Sequence, residues 1–176
     1  MEDDHVLTIH RQWQAQRPDL DPSPILVIGR LTRTARIIEQ ELDRCFTELG
    51  LQSWEFDVLA ALRRAGAPYE LTPTRLGQTC MISSSAMTNR LNQLERVELV
   101  RRRHGGDGDR RSVYVGLTDR GLSLVDRAVA VHLTNEEALL SQLSAEERAD
   151  LGALLNKLAS SARFSRSGAD RTVHSG

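Results

Sequence analysis

The spacing of apolar residues changes once along the chain from a helical to a strand period and then back, and few folds accommodate that order. Up to about Val97 apolar residues recur at intervals of three and four, the period of helices buried on one face. Leu99-Val100-Arg101-Arg102-Arg103 and Ser112-Val113-Tyr114-Val115-Gly116-Leu117 then read as two short strands. The glycine-rich His104-Gly105-Gly106-Asp107-Gly108-Asp109-Arg110-Arg111 joins them as a hairpin tip. From Thr118 the helical period resumes. The expectation is a mainly α chain with a small β-hairpin, in which a winged helix-turn-helix domain is combined with a helical dimerisation region.

The helical parts can be placed from their punctuation. Val6, Ile9, His10 and Trp13 share one face of a short helix that ends at the segment Arg17-Pro18-Asp19-Leu20-Asp21-Pro22-Ser23-Pro24. Ile28, Leu31, Ala35, Ile38, Leu42, Cys45 and Leu49 then step alternately by three and four, a heptad seam. A helix from Ile25 to Leu49 is roughly 36 Å long, enough to reach a partner chain. Gly50 stops it. Ser53 is placed to cap a helix through Trp54, Val58 and Leu62, and Thr72-Pro73 opens a short one ending near Thr79. Ser83-Ser84-Ser85 begins a further helix to about Val97 whose apolar stripe is Met87, Leu91 and Leu94. Thr118 caps a helix carrying Leu122, Val125 and Val129, and Ser144 with Glu147 forms a capping box before Leu151, Leu154, Leu155 and Leu158. The expected parts are residues 1–50 as N-terminal helices for dimerisation and pocket closure, 51–118 as the DNA-binding domain, 119–163 as C-terminal dimerisation helices, and 164–176 as a disordered tail.

Composition narrows the class. The chain has 176 residues, 40% of them hydrophobic, too many for a disordered protein, and no apolar run of about 18 residues that would span a membrane. The start Met1-Glu2-Asp3-Asp4 is acidic where a secretory signal is basic, so a cytoplasmic location is expected. The formal net charge is -1, yet residues 75–111 hold eight arginines against four carboxylates. A local positive stretch on an acidic body directs its field at a polyanion.

A helix that reads the major groove needs a short polar outer face flanked by cations. With Met87, Leu91 and Leu94 turned inward, Ser84, Ser85, Thr88, Asn89 and Asn92 share the opposite side, and Arg110 and Arg111 follow at the hairpin tip, in reach of the minor groove or the backbone. An enzyme is not indicated. His5, His10, His104, His132 and His174 are dispersed without metal-ligand spacing, and neither a nucleophile elbow, a P-loop nor a dinucleotide fingerprint occurs. No cofactor is implied.

A second constellation suggests a ligand. Asp57, Ala60, Ala61 and Arg64 lie on one helical face, with the two charges roughly 10 Å apart around two methyl groups. Arg90 lies at the edge of the inward stripe of its helix, where a guanidinium needs a partner, either Asp57 or a bound anion. Trp13, on the apolar face of the first helix, is placed to close such a cavity. The alternative is that Asp57 simply pairs with Arg64 or Arg90 across packed helices and that Trp13 is a core anchor. Cys45 and Cys80 offer a different alternative, redox sensing, although Cys45 belongs to the heptad seam and nothing near Cys80 in sequence lowers its pKa.

The order of helices around the hairpin, the Asp109-Arg110-Arg111 turn, and the motif formed by Val115, Leu117, Thr118, Asp119 and Gly121 resemble the MarR family of bacterial winged-helix regulators, from about Ile25 to Leu158. The resemblance implies a homodimer built by the terminal helices, a palindromic operator in double-stranded DNA, and repression as the usual outcome. Two positions depart from the family pattern: the wing tip carries Gly105-Gly106-Asp107-Gly108 where relatives often carry proline, and Glu98 stands where glycine is common. Trp13, Asp57, Arg64 and Arg90, with the additional N-terminal helix, resemble the urate-responsive subclass of that family. That likeness implies a small anionic effector, urate or xanthine, held by Arg64 and displacing the recognition helix through Arg90.

Overall fold

The heptad-bearing segment folds as one helix, and the core of the first unit is built at its C-terminal end. The computed structural model describes residues 4–105 and 112–169. Its elements are α1 (His5–Gln16), α2 (Ser23–Glu48), α3 (Ser53–Arg64), β1 (Glu70–Leu71), α4 (Pro73–Thr79), α5 (Ser84–Arg96), β2 (Val100–His104), β3 (Val113–Leu117), α6 (Asp119–Leu139) and α7 (Ala145–Ala169). They form two compact units, residues 1–135 and residues 136–176.

In the first unit the core is built where α2 ends. Phe46 stacks on Phe56 with ring centroids 4.4 Å apart, and His132 of α6 packs against both rings. Beyond them Leu59, Leu62, Leu76, Met87, Leu91, Leu94, Val115 and Val125 are almost fully buried. The heptad seam therefore divides: Cys45 is buried and Leu42 and Leu49 pack on the core, but Ile28 and Ile38 stay exposed. α1 lies against the N-terminal part of α2, close enough that a Cβ at Gly29 would meet Val6 at 2.9 Å.

The hairpin is joined by a strand that the periodicity does not reveal. β3 is central, with β2 and β1 antiparallel on either side, Arg102 opposite Val115 and Glu70 opposite Gly116. β1 has two residues, too few to generate an alternating pattern.

Most helix starts follow the sequence. Thr72 accepts from the Arg75 amide at 3.3 Å, Ser83 from the Ala86 amide at 3.4 Å, and Thr118 from the Gly121 amide at 3.0 Å. Ser144 and Glu147 cap each other reciprocally. The start of α3 is a correction. Gln52, not Ser53, is the cap, exchanging hydrogen bonds with Glu55 in a capping box, while the Ser53 hydroxyl donates to the Asp43 carboxylate. A carboxylate across the α2–α3 corner draws the serine away from its own helix end.

In the second unit α7 presents Leu151, Leu154, Leu155 and Leu158 as exposed residues along one side. The helix continues to Ala169, so residues 164–169 of the expected disordered tail are helical. That stretch has no proline, and with Gly168 only one residue from its end nothing in it breaks the ladder earlier. Residues 170–176 lie outside the described residues.

Candidate nucleic-acid interface

The geometry of α5 follows from its two faces. Met87, Leu91 and Leu94 are buried to within 1% exposure, and this fixes Ser84, Ser85, Thr88, Asn89 and Asn92 on the solvent side, where all five are exposed. The chain enters α5 through Met81, whose φ of 55° is left-handed and whose side chain stands in solvent, and leaves it through Glu98 at φ 58°. Glu98 thus takes the backbone conformation that makes glycine common there.

The five polar residues are not equivalent. Thr88 donates its hydroxyl to the Ser84 carbonyl at 2.9 Å, so toward an outside partner it can only accept. Ser83 and Ser85 share a hydrogen bond at 3.3 Å. The Asn89 side chain has no hydrogen-bond partner among the described residues. The Asn92 oxygen accepts from Nη2 of Arg102 at 2.8 Å. Asn89 and Asn92, with Glu55, Gln93, Arg96 and Val97, line an open cleft of about 460 Å³ on this face.

Two of the three consecutive arginines in β2 have structural partners, which the sequence did not reveal. Arg102 is paired with Glu95 of α5 and so ties that helix to the sheet. Arg103 forms two hydrogen bonds to Glu70 of β1 and lies 4.8 Å from the Tyr114 ring centroid. The Glu70 side chain is only 7% exposed, and hydrogen bonding from Arg103 holds its carboxyl below the ordinary carboxylate range against the opposing effect of burial. Arg101 is exposed. Arg110 and Arg111 lie outside the described residues.

The ligand candidates are only partly brought together. Asp57 and Arg64 are exposed on α3, and Ala60 and Ala61 between them are buried. No ion pair joins Asp57 to Arg64 or Arg90 among the described residues. Arg90 instead places its guanidinium 5.3 Å from the Trp54 ring centroid, a cation–π contact where an anion was expected. Trp54 is a partner that only the tertiary fold supplies, since it brings the start of α3 within side-chain reach of Arg90. Trp13 is half exposed and lines a separate apolar notch of about 270 Å³ with Arg17, Leu20, Asp21, Pro22, Pro24 and Ile25.

Cys80 lies among these charges, its Sγ 3.8 Å from the Asp57 carbonyl oxygen. Burial pushes the thiol upward, Asp57 adds to the shift, and Arg64 and Arg90 oppose it. Burial likewise raises the Cys45 thiol. Both shifts reduce the thiolate on which oxidation depends. Among the described residues no helix is long and apolar enough to cross a membrane, and no cluster of three or more His, Cys, Asp or Glu is arranged to hold a metal.

Comparisons with known proteins agree with this architecture. The MarR family profile matches residues 49–112, from the end of α2 to the start of β3. The chain is 45% identical over 153 residues to the HTH-type transcriptional regulator PecS of Dickeya dadantii, covering 87% of this chain and 92% of that one. Among solved structures it is similar to a mutant MarR from E. coli complexed with operator DNA, at 26% identity and a TM-score of 0.65 over 77% of this chain and 95% of that one. AbsC, a MarR family transcriptional regulator from Streptomyces coelicolor, shares the fold at 20% identity, with a TM-score of 0.72 over 82% of this chain and 97% of that one. This chain therefore belongs to the MarR family, and it is a winged helix-turn-helix transcriptional regulator rather than an enzyme.

Proposed function

We propose that the protein is a cytoplasmic repressor that binds a palindromic operator as a homodimer and leaves it when a small anion binds. The observation that carries the DNA-reading part is α5, with a buried stripe on one side and five exposed Ser, Thr and Asn side chains on the other. Its edge is tied to the sheet by Arg102. Exposed Ile28 and Ile38 on α2, and the exposed leucines of α7, support association of two chains, and a twofold assembly matches two half-sites related by twofold symmetry. Arg110 and Arg111 are assigned to phosphates and Asn89 to a base edge. Footprinting on the region upstream of the protein's own gene tests this. Arg110→Ala weakens binding to every sequence and lowers the salt slope by about one, whereas Asn89→Ala also relaxes base preference. Unchanged affinity and salt slope in Arg110→Ala would remove the wing from the interface.

For the effector, the supporting observation is that Cys80 contacts the Asp57 backbone and lies in the field of Asp57, Arg64 and Arg90, and that among the described residues neither arginine is paired with a carboxylate. A planar purine anion, urate or xanthine, suits two guanidinium groups with an aromatic surface beside them. Trp13, which lines its own notch in this structure, is proposed to close over the ligand only when one is bound. Drawing Arg90 away from Trp54 would shift α5, and a tenfold loss of operator affinity requires about 1.4 kcal/mol of preference for the released state. Titration with urate, following tryptophan fluorescence and operator release together, checks this. Quenching with release is expected. Neither response at millimolar urate would eliminate the purine effector and leave the regulator assignment standing.

A further inference from the structure

We infer that Arg102 makes Asn92 a one-way reader, presenting hydrogen-bond donors to the groove and selecting guanine over adenine at the base pair it faces. The inference rests on the assignment of α5 as the DNA-reading helix and adds to it the chemistry of one contact.

An unrestrained asparagine recognises adenine by a matched pair of hydrogen bonds, its oxygen accepting from N6 and its NH2 donating to N7. Asn92 is restrained. Nη2 of Arg102 donates to its Oδ1 at 2.8 Å, while Nη1 of the same guanidinium is paired with Glu95, one turn further along α5. The Arg102 amide also donates to Glu95, at 3.3 Å, so both the strand and the guanidinium are anchored on that carboxylate. A guanidinium carries only donors. Rotating the Asn92 amide would turn its NH2 against another donor, so the oxygen stays on the sheet side. Nδ2 is left to face outward.

The surroundings reinforce this polarity. Arg96, which shares the open cleft with Asn92, supplies further donors. The oxygen keeps a second lone pair, but Arg102 holds it toward the sheet, so reading adenine in the bidentate manner would require exchanging this orientation for one that turns the oxygen edge of the amide to the base. Guanine offers acceptors at both O6 and N7 and asks for no such exchange. Arg102, partly buried and away from the exposed row of α5, therefore acts as a positioning residue that sets the specificity of another side chain.

Selection from randomised duplexes with the full-length protein tests this. In the wild type, the symmetric pair of positions that Asn92→Ala makes indifferent should carry guanine, and changing that guanine to adenine should weaken binding about tenfold or more. Arg102→Met, which keeps the aliphatic stem, should bring the guanine-to-adenine ratio at that position near unity while the remaining positions stay selective. Glu95→Gln, which loosens the same guanidinium, should move the ratio in the same direction and serves if Arg102→Met shows no cooperative melt. Adenine, or no preference, at the Asn92-dependent position of the wild type would overturn the inference, as would an Asn92→Ala selection identical to that of the wild type. In either case sequence-specific binding would still stand. If the wild type enriches no sequence at all, the DNA-reading assignment falls together with the inference.

Discussion

At the residue scale, Gly121 shows how a motif position can be set by one close approach. Its amide donates to the Thr118 hydroxyl, which itself donates to the carbonyls of Glu98 and Leu99, so the first turn of α6 is pressed onto the turn that follows α5. A Cβ built at Gly121 would lie 2.0 Å from the Leu99 carbonyl oxygen. Backbone on both sides offers no rotamer to escape into. Gly121→Ala is accordingly expected to lose about 3 kcal/mol of stability, seen as a lower urea midpoint at unchanged slope, and a change within 0.5 kcal/mol (about the scatter of neutral surface substitutions) would refute the close contact. The residue itself could be picked out in the sequence. The oxygen that demands it could not, because it lies 22 positions earlier in the chain.

At the scale of elements, the wing is held by side chains that the composition counts only as charge. Arg103 of β2 reaches across β3 to Glu70 of β1, and Gly116 leaves the room in which the Glu70 side chain lies, since a Cβ there would meet it at 2.7 Å. Arg103 holds the folded-state pKa of Glu70 below its unfolded value of about 4.5. The contribution of the pair is therefore fully present above that value and is lost as pH falls through the lowered folded one. Glu70→Gln should destabilise the domain at neutral pH, and the difference from wild type should shrink below about pH 4. Urea melts at a series of pH values measure this, and a difference constant down to about pH 3, well below the ordinary glutamate range, would exclude the linkage. The helices were readable because most of them carry a period together with a cap or a stop. β1 was not, since two residues carry no period and its existence depends on β3 arriving beside it.

At the scale of the whole molecule, the exposed apolar residues bear on assembly. Ile28 and Ile38 are 51% and 37% exposed on α2, and Leu154 is 64% exposed on α7. Rows of this kind mark surfaces that a partner covers. Ile38→Arg leaves the core untouched, so the chain should keep its helical circular dichroism while sedimenting as a monomer, and operator affinity should fall by about a hundredfold once two half-sites are no longer held together. An unaltered dimer would place the interface elsewhere. Fold class, the placement of most helices, and the inward stripe and polar face of α5 follow from the sequence by itself, because period and capping act within a few residues of one another, whereas the cap of α3, the end of α7 and the close approach at Gly121 do not. Which arginines remain available to a polyanion, the Trp54 partner of Arg90, and the orientation of the Asn92 amide were decided only by tertiary structure. A guanidinium carries the same charge wherever it lies in a sequence, and its role depends on which carboxylate, ring or amide the folded chain brings within about 3 to 5 Å of it.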